Sequence, residues 1–271
     1  TATDPELQKA WLHGNWHIAR GAFFSHNFDE HRNVIRAWPS KATANRLQGL
    51  TPYQQRNIQR NARSIGSRPN YGWRHYLALD HGSAAPCVCY IVAVSPGAEG
   101  PDGKFYPRDS IVLVDEIAFV DAGNLNQGLQ MTIPAMSHAI RDRCAAWGIP
   151  AQGVGDDACF ANHGSGEGSL AAEYQKAGVT LQPANKADRA SGWERMRRLM
   201  ADAGQPDRPG LYVSERCIYW LQTVPTLPRD PRHPEDLDTR SADHAADCTR
   251  YAITAQATAS TWKRQKITGL M

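Results

Sequence analysis

The chain has 271 residues, of which 41% are hydrophobic, and a formal net charge of +3. That length supports one substantial core with a smaller appendage, and a charge so mild names no partner by itself. No apolar run approaches the roughly 18 residues of a membrane span, and residues 1–20 do not show the basic start and apolar core of a secretory leader. Cys87, Cys89, Cys144, Cys159, Cys217 and Cys248 lack paired CxxC or HxxxH spacing, which argues against structural zinc and for small core residues.

Residues 5–21, PELQKAWLHGNWHIARG, place Leu7, Trp11 and Leu12 at helical spacing, with Gly14 able to end the helix. A chain that starts at Thr1 and enters a helix at once is expected to be a piece of something longer. From Lys41 to Arg74 there are seven Lys/Arg and no acid. Within that stretch TPYQQRNIQRNARS predicts a helix from a Thr cap and an early proline, with Arg56, Arg60 and Arg63 at i, i+4, i+7. The stripe is either a solvated face or a phosphate-binding one. WRHYLALD, CVCYIVAV and SIVLVDEIAFV read as successive strands of an antiparallel meander. A helix is expected over 125–147, with Pro134 as its start or a kink. There follow a short strand before Asp156, a Gly-rich loop ANHGSGEGS, a helix near 170–177, the strand VTLQP and a helix near 190–202. The strand GLYV, a helix from Ser214 and a last helix near Ser241 complete the chain. Meander first, then alternation, predicts an α/β protein with a mixed sheet flanked by helices on both faces.

Acids recur at the ends of these elements. Asp80 closes LALDHG, Asp156 and Asp157 follow a strand in GVGDDACF, and Asp243, His244 and Asp247 open the last helix in SADHAADCTRYAI. Asp243 and Asp247, four apart, share a helix face, with His244 on its flank. Each position alone fits a turn or helix cap equally well. Together, carboxylates without a cation would repel one another, and oxygen ligands without a thiolate cluster suit Mg²⁺ or Mn²⁺.

LALDHG before a second strand, GVGDDA after a central one and DHAADCTRYAI near the C terminus resemble the acidic motifs of bacteriophage large terminase nucleases. DPELQKAWLHGNWHIARGAFF is similar to the segment joining the terminase motor to its nuclease. The resemblance covers most of residues 4–35 and 72–255. The last motif is the most specific, since the family pattern DHxxDAxRYA is broken only at Cys248. Where the family has Pro after its second Asp, this chain has Asp157.

The resemblance implies an RNase H-like fold and cleavage of concatemeric viral DNA during packaging. It implies two divalent ions, Asp80 bridging them, and Asp156 and Asp247 each holding one as the other catalytic carboxylates. Asp243 and His244 would complete the ligand set, with Asp157 behind it. Two such ions, about 4 Å apart, activate water and stabilise the leaving 3′ oxygen. Arg56, Arg60, Arg63, Lys186 and Arg189 are the expected DNA contacts, with Arg195, Arg197 and Arg198 as weaker ones. The implied organisation is a connector over 1–40, a basic helical insertion over 41–70, the nuclease over 71–258 and a basic tail over 259–271. Implied partners are double-stranded DNA, an N-terminal ATPase motor on the same full-length chain, the portal protein and the small terminase subunit, in the host cytoplasm and away from membranes. No GxxxxGK[ST] is present and GSGEGS lacks the lysine, so ATP hydrolysis is not expected of this stretch. The competing readings are another RNase H-like nuclease, such as a resolvase or transposase core, and a DNA-clamping or portal-docking domain whose acids are caps. A phosphatase or zinc hydrolase is a remote alternative.

Overall fold

A computed structural model describes residues 22–40, 73–161, 168–184 and 189–259. The meander forms as read: β2 (Arg74–Asp80), β3 (Cys87–Val94) and β6 (Ile111–Asp121) pair antiparallel in sequence order. Between β3 and β6 a small hairpin, β4 (Ala98–Glu99) with β5 (Phe105–Tyr106), stands apart from the main sheet. β8 (Gln152–Gly155) adds parallel to β2, and β9 (Thr180–Pro183) parallel to β8. On the other side β10 (Leu211–Ser214) joins β6, and β1 (Val34–Ile35) joins β10. The result is an eight-stranded mixed sheet in the order β1-β10-β6-β3-β2-β8-β9, with β7 (Asn124–Gly128) paired to β6 off this path.

Every residue of β3 is buried, as its unbroken apolar run demands of a central strand covered on both faces. Helices supply that cover. On one face α2 (Ile133–Trp147) and α3 (Leu170–Lys176) set Met136, Ile140, Trp147 and Tyr174 against Leu77, Leu79, Cys89 and Ile91. On the other, α4 (Arg189–Asp202), α5 (Ile218–Thr223) and α6 (His244–Ala259) set Trp193, Met196, Trp220 and Tyr251 against Ala78, Val88, Tyr90 and Val92. The tail of the expected connector shares in both cores: Phe23 and Phe24 pack on the α4 side and Trp38 on the α2 side, and a short helix α1 (Glu30–Asn33) leads into β1.

Three boundaries differ from the sequence reading. Residues 124–128 are strand β7, so the helix expected over 125–147 begins only at Ile133. Pro134 lies in its first turn, where a missing N–H leaves no bond unmade, and Gly148 closes it at φ 71°. The helix expected from Ser214 begins at Ile218 and the one expected near Ser241 at His244. Gly153 is required by packing: a Cβ there would lie 1.9 Å from the Leu77 carbonyl oxygen. The adjacent acids of β6 brace opposite faces. Asp115 accepts from Arg143 Nη1 and Trp147 Nε1, both at 2.7 Å, and Glu116 accepts the Tyr219 and Trp220 N–H groups at 2.7 and 3.0 Å, capping α5. All six cysteines are buried and unpaired. No helix among the described residues is long and apolar enough to cross a membrane.

Candidate active site

The strand pattern delivers two acids to one end of the sheet. β2 and β8 run parallel with Leu79 opposite Gly155, and the Asp156 N–H donates to the Leu79 carbonyl at 3.3 Å. Asp80, the last residue of β2, and Asp156, the first beyond β8, therefore emerge side by side at the carboxyl end of parallel strands, where open α/β sheets place their chemistry. Side chains alternate along β2: Leu77 and Leu79 enter the α2 face, Ala78 and Asp80 the α6 face.

Helix α6 lies antiparallel along β2 and is held there at three successive heights. The Tyr76 hydroxyl donates to the Ala252 carbonyl at 2.7 Å, the Cys248 thiol to the Ala78 carbonyl at 3.2 Å, and His244 Nδ1 meets Asp80 Oδ2 at 2.9 Å. Eight helical residues rise about 12 Å and four strand residues about 13 Å, so the two elements keep step. This register carries the start of α6, with its partial positive charge, to Asp80. It also explains Cys248, whose thiol bonds the backbone of both β2 and β3, reaching the Val88 carbonyl at 3.4 Å.

Each acid has a protein partner. Tyr251 donates its hydroxyl to Asp156 Oδ2 at 3.0 Å. Arg250 donates Nε and Nη2 to Asp247 Oδ1 at 3.0 and 2.7 Å. Arg189 Nη2 lies 3.2 Å from Asp243 Oδ2 and 3.5 Å from Asp247 Oδ2, while its Nε donates to Asp236 Oδ1 at 2.9 Å. Asp80, Asp243 and Asp247 are buried, Asp156 is half-buried and Asp157 is exposed.

The carboxylates act on one another. Burial lifts the Asp80 carboxyl to about 6; His244 pulls it down and the charges of Asp247 and Asp156 push it up. Asp243 is also raised to about 6, by burial and then by Asp247, with His244 and Arg189 opposing. Burial alone would lower the His244 imidazole, but its bond to Asp80 and the charges of Asp80, Asp243 and Asp247 raise it. The Tyr251 phenol is raised by burial and then by Asp80, Asp247 and Asp156 together, so it remains a donor. One hydroxyl thus senses carboxylates from three stretches of chain.

Asp80, Asp156, Asp243, His244 and Asp247 therefore gather at one sheet end, and Asp157 beside them is exposed. Arg189 reaches acids rather than open solvent. Arg197 lies over the Phe23 ring at 3.9 Å, in a packing role, Arg195 is half-buried and Arg198 is exposed. Arg56, Arg60, Arg63 and Lys186 lie outside the described residues. Sequence reading missed Arg250 and Tyr251, although i+3 and i+4 spacing from Asp247 put them on its flank. It also missed Asp236, which no local pattern marks. Among the described residues no three His, Cys, Asp or Glu side chains are arranged as a ligand set. In kind the donors fit a hard divalent cation: buried carboxylate oxygens and one imidazole.

The eight-stranded mixed sheet flanked by helices on both faces is RNase H-like in fold. The fold is that of phage large terminase nucleases. The P22 large terminase nuclease domain superposes with a TM-score of 0.56 at 14% identity, over 88% of this chain and 93% of that one. The large terminase of the thermophilic bacteriophage D6E superposes at 0.51 and 12% identity, over 86% of this chain and 44% of that one, so this chain spans less than half of the D6E protein. The nuclease of the thermophilic phage G20c large terminase, with bound cobalt, matches at 0.41 and 12% identity over 69% of this chain and 82% of that one. No protein-family model and no curated protein sequence matches the chain.

Proposed function

We propose that this domain is a divalent-metal-dependent endodeoxyribonuclease that cuts concatemeric viral DNA during genome packaging. The observation that carries the reading is the meeting of Asp80, Asp156 and Asp247 around Tyr251, at the carboxyl ends of parallel strands. Three buried or half-buried acids whose charges raise one another's proton affinity are costly, and a bound cation relieves that cost. The fold shared with the P22 domain supports the same reading.

Asp80, Asp156 and Asp247, with Asp243 and His244, would hold two ions, Mg²⁺ or Mn²⁺. When bound, such ions supply an activated water and a stabilised leaving 3′ oxygen. The chain's own part is orientation. His244 fixes Asp80 through Oδ2, Tyr251 fixes Asp156 through Oδ2, and the Arg250 fork fixes Asp247 through Oδ1, so one oxygen of each carboxylate is turned by the protein. Arg56, Arg60, Arg63 and Lys186 are proposed phosphate contacts. On this reading the substrate is double-stranded DNA and an N-terminal ATPase motor belongs to the same full-length chain. The portal protein and small terminase subunit are partners, and the site of action is the host cytoplasm.

Plasmid nicking tests the reading. Activity is expected with Mg²⁺ or Mn²⁺, none with EDTA, and none with Ca²⁺, whose larger, looser coordination misplaces the nucleophile. Undiminished nicking in EDTA would overturn it.

A further inference from the structure

A guanidinium occupies the acidic cluster. Arg189, the first residue of α4, spans Asp243 Oδ2 at 3.2 Å and Asp247 Oδ2 at 3.5 Å with Nη2. On its other edge, Nε is anchored on Asp236 Oδ1 at 2.9 Å. Asp236 is itself fixed by Trp193 Nε1 at 2.7 Å and the Leu237 N–H at 2.8 Å, and the guanidinium lies 5.3 Å over the Trp193 ring. Asp247 already gives Oδ1 to the Arg250 fork, and Oδ2 is the oxygen that faces Arg189. A solvated surface arginine would show none of this anchorage.

We propose that Arg189 is the resident counter-ion of the Asp243 and Asp247 pair, and that a divalent cation must displace its guanidinium to bind those carboxylates. The proposal rests on the nuclease reading above and adds a regulation of that site. Two buried carboxylates beside Asp80 and Asp156 repel one another, and a permanently charged planar group set against both offsets part of that repulsion, with Arg250 pairing Asp247 from its other oxygen. Asp236, which is not among the candidate ligands, gives Arg189 a second hold. Nη2 can therefore let go of Asp243 and Asp247 while Nε stays paired, so the charge steps aside without leaving the protein. The cation then competes with a tethered positive charge, and its affinity is set partly by that competition. Arg189 belongs to the metal-free balance of the site rather than to its ligand set.

The test is Mn²⁺ titration calorimetry on the chain without DNA, for the parent, R189Q and R189K, with thermal melts in EDTA and in saturating Mn²⁺. R189Q should bind Mn²⁺ at least about tenfold more tightly, since even with water-like screening a unit charge about 4 Å from a divalent ion opposes its binding by more than about tenfold, and a charge that steps aside on binding opposes it less. R189K, which keeps the charge, should stay within about threefold of the parent. R189Q should melt below the parent in EDTA, and the deficit should narrow in Mn²⁺ to the part owed to the Asp236 contact, whereas an arginine with a purely structural role would leave equal deficits in both. If the Gln variant does not fold, the Lys variant carries the test through the narrowing of its smaller deficit. Parent that binds Mn²⁺ with R189Q binding no tighter, or a deficit unchanged by Mn²⁺, overturns this proposal alone. Parent that binds no Mn²⁺ overturns both it and the metal-dependent nuclease reading.

Discussion

Replacing Asp80 by Asn should stabilise the metal-free protein and, on the proposed function, abolish cleavage of DNA. Burial holds the Asp80 carboxyl at about 6 instead of 3.8, the His244 bond opposing and the charges of Asp247 and Asp156 adding. A folded value above the unfolded one means that the native state holds this proton more tightly. The group's support for the fold is therefore complete below the unfolded value and is lost as pH rises through about 6. The interval from 3.8 to about 6, at about 1.4 kcal/mol per pH unit, is worth about 3 kcal/mol. Asn weakens the His244 contact, which costs about 1 kcal/mol, leaving a net gain of about 2 kcal/mol at pH 8. For a chain of this size that is a rise in melting temperature of about 4 °C. Scanning calorimetry in EDTA is the assay, with parent and D80N compared at pH 8 and pH 5. At pH 5 the parent's carboxyl is largely protonated when folded, and the advantage should shrink to under about 1 kcal/mol. A D80N variant less stable than the parent at pH 8, or an advantage equal at both pH values, would refute the electrostatic reasoning. Undiminished nicking by D80N would remove Asp80 from the site.

Asp156→Ala and Asp247→Ala should likewise abolish nicking with the fold intact by circular dichroism, and retained activity in either would exclude that residue. Tyr251→Phe deletes one hydrogen bond to Asp156 and should lower the cleavage rate by about tenfold at a stability cost of about 1 kcal/mol; an unchanged rate would show that Asp156 needs no orienting. Gly153→Ala forces a Cβ to within 1.9 Å of the Leu77 carbonyl and should prevent β8 from seating, read as loss of soluble folded protein or of more than about 3 kcal/mol. Reversing Arg56, Arg60 and Arg63 to Glu should weaken DNA binding and reduce the log–log salt slope by about 0.9 for each phosphate no longer neutralised. An unchanged slope would leave that stripe a solvated face.

The strands were legible because each carries its own period. β3 is a run of apolar residues that only a doubly covered strand accommodates, and β2 alternates into an acid at its end. The misread stretch was 125–128: LNQG offers neither alternation nor an apolar run, and its strand character comes from pairing with the overhanging end of β6. That partner is reached through the two-residue turn 122–123, where the N–H groups of Gly123 and Asn124 bond Asp121 Oδ1, a hairpin signal that sequence reading missed. Residues 34–35 are strand because the edge of β10, far away in sequence, recruits them.

In the acidic cluster, the positions of the acids at element ends were visible in the sequence and the groups that bond them were not. An acid that ends a strand is visible in one dimension, as at Asp80 and Asp156, and two acids four apart on a helix are visible in the helical period. What fixes each carboxylate depends on which elements cross. Tyr251 reaches Asp156 only because α6 steps down β2 in register, and Arg189 meets Asp243 only because the loop bearing Asp236 folds back under α4. Sequence reading assigns a charge to solvent or to a ligand by its sign and its neighbours along the chain. By sign Arg189 belonged to phosphates, but within 3.5 Å it faces Asp236, Asp243 and Asp247. A charge so placed holds the domain's own acids together, and its cost to cation binding is what the Mn²⁺ titration measures.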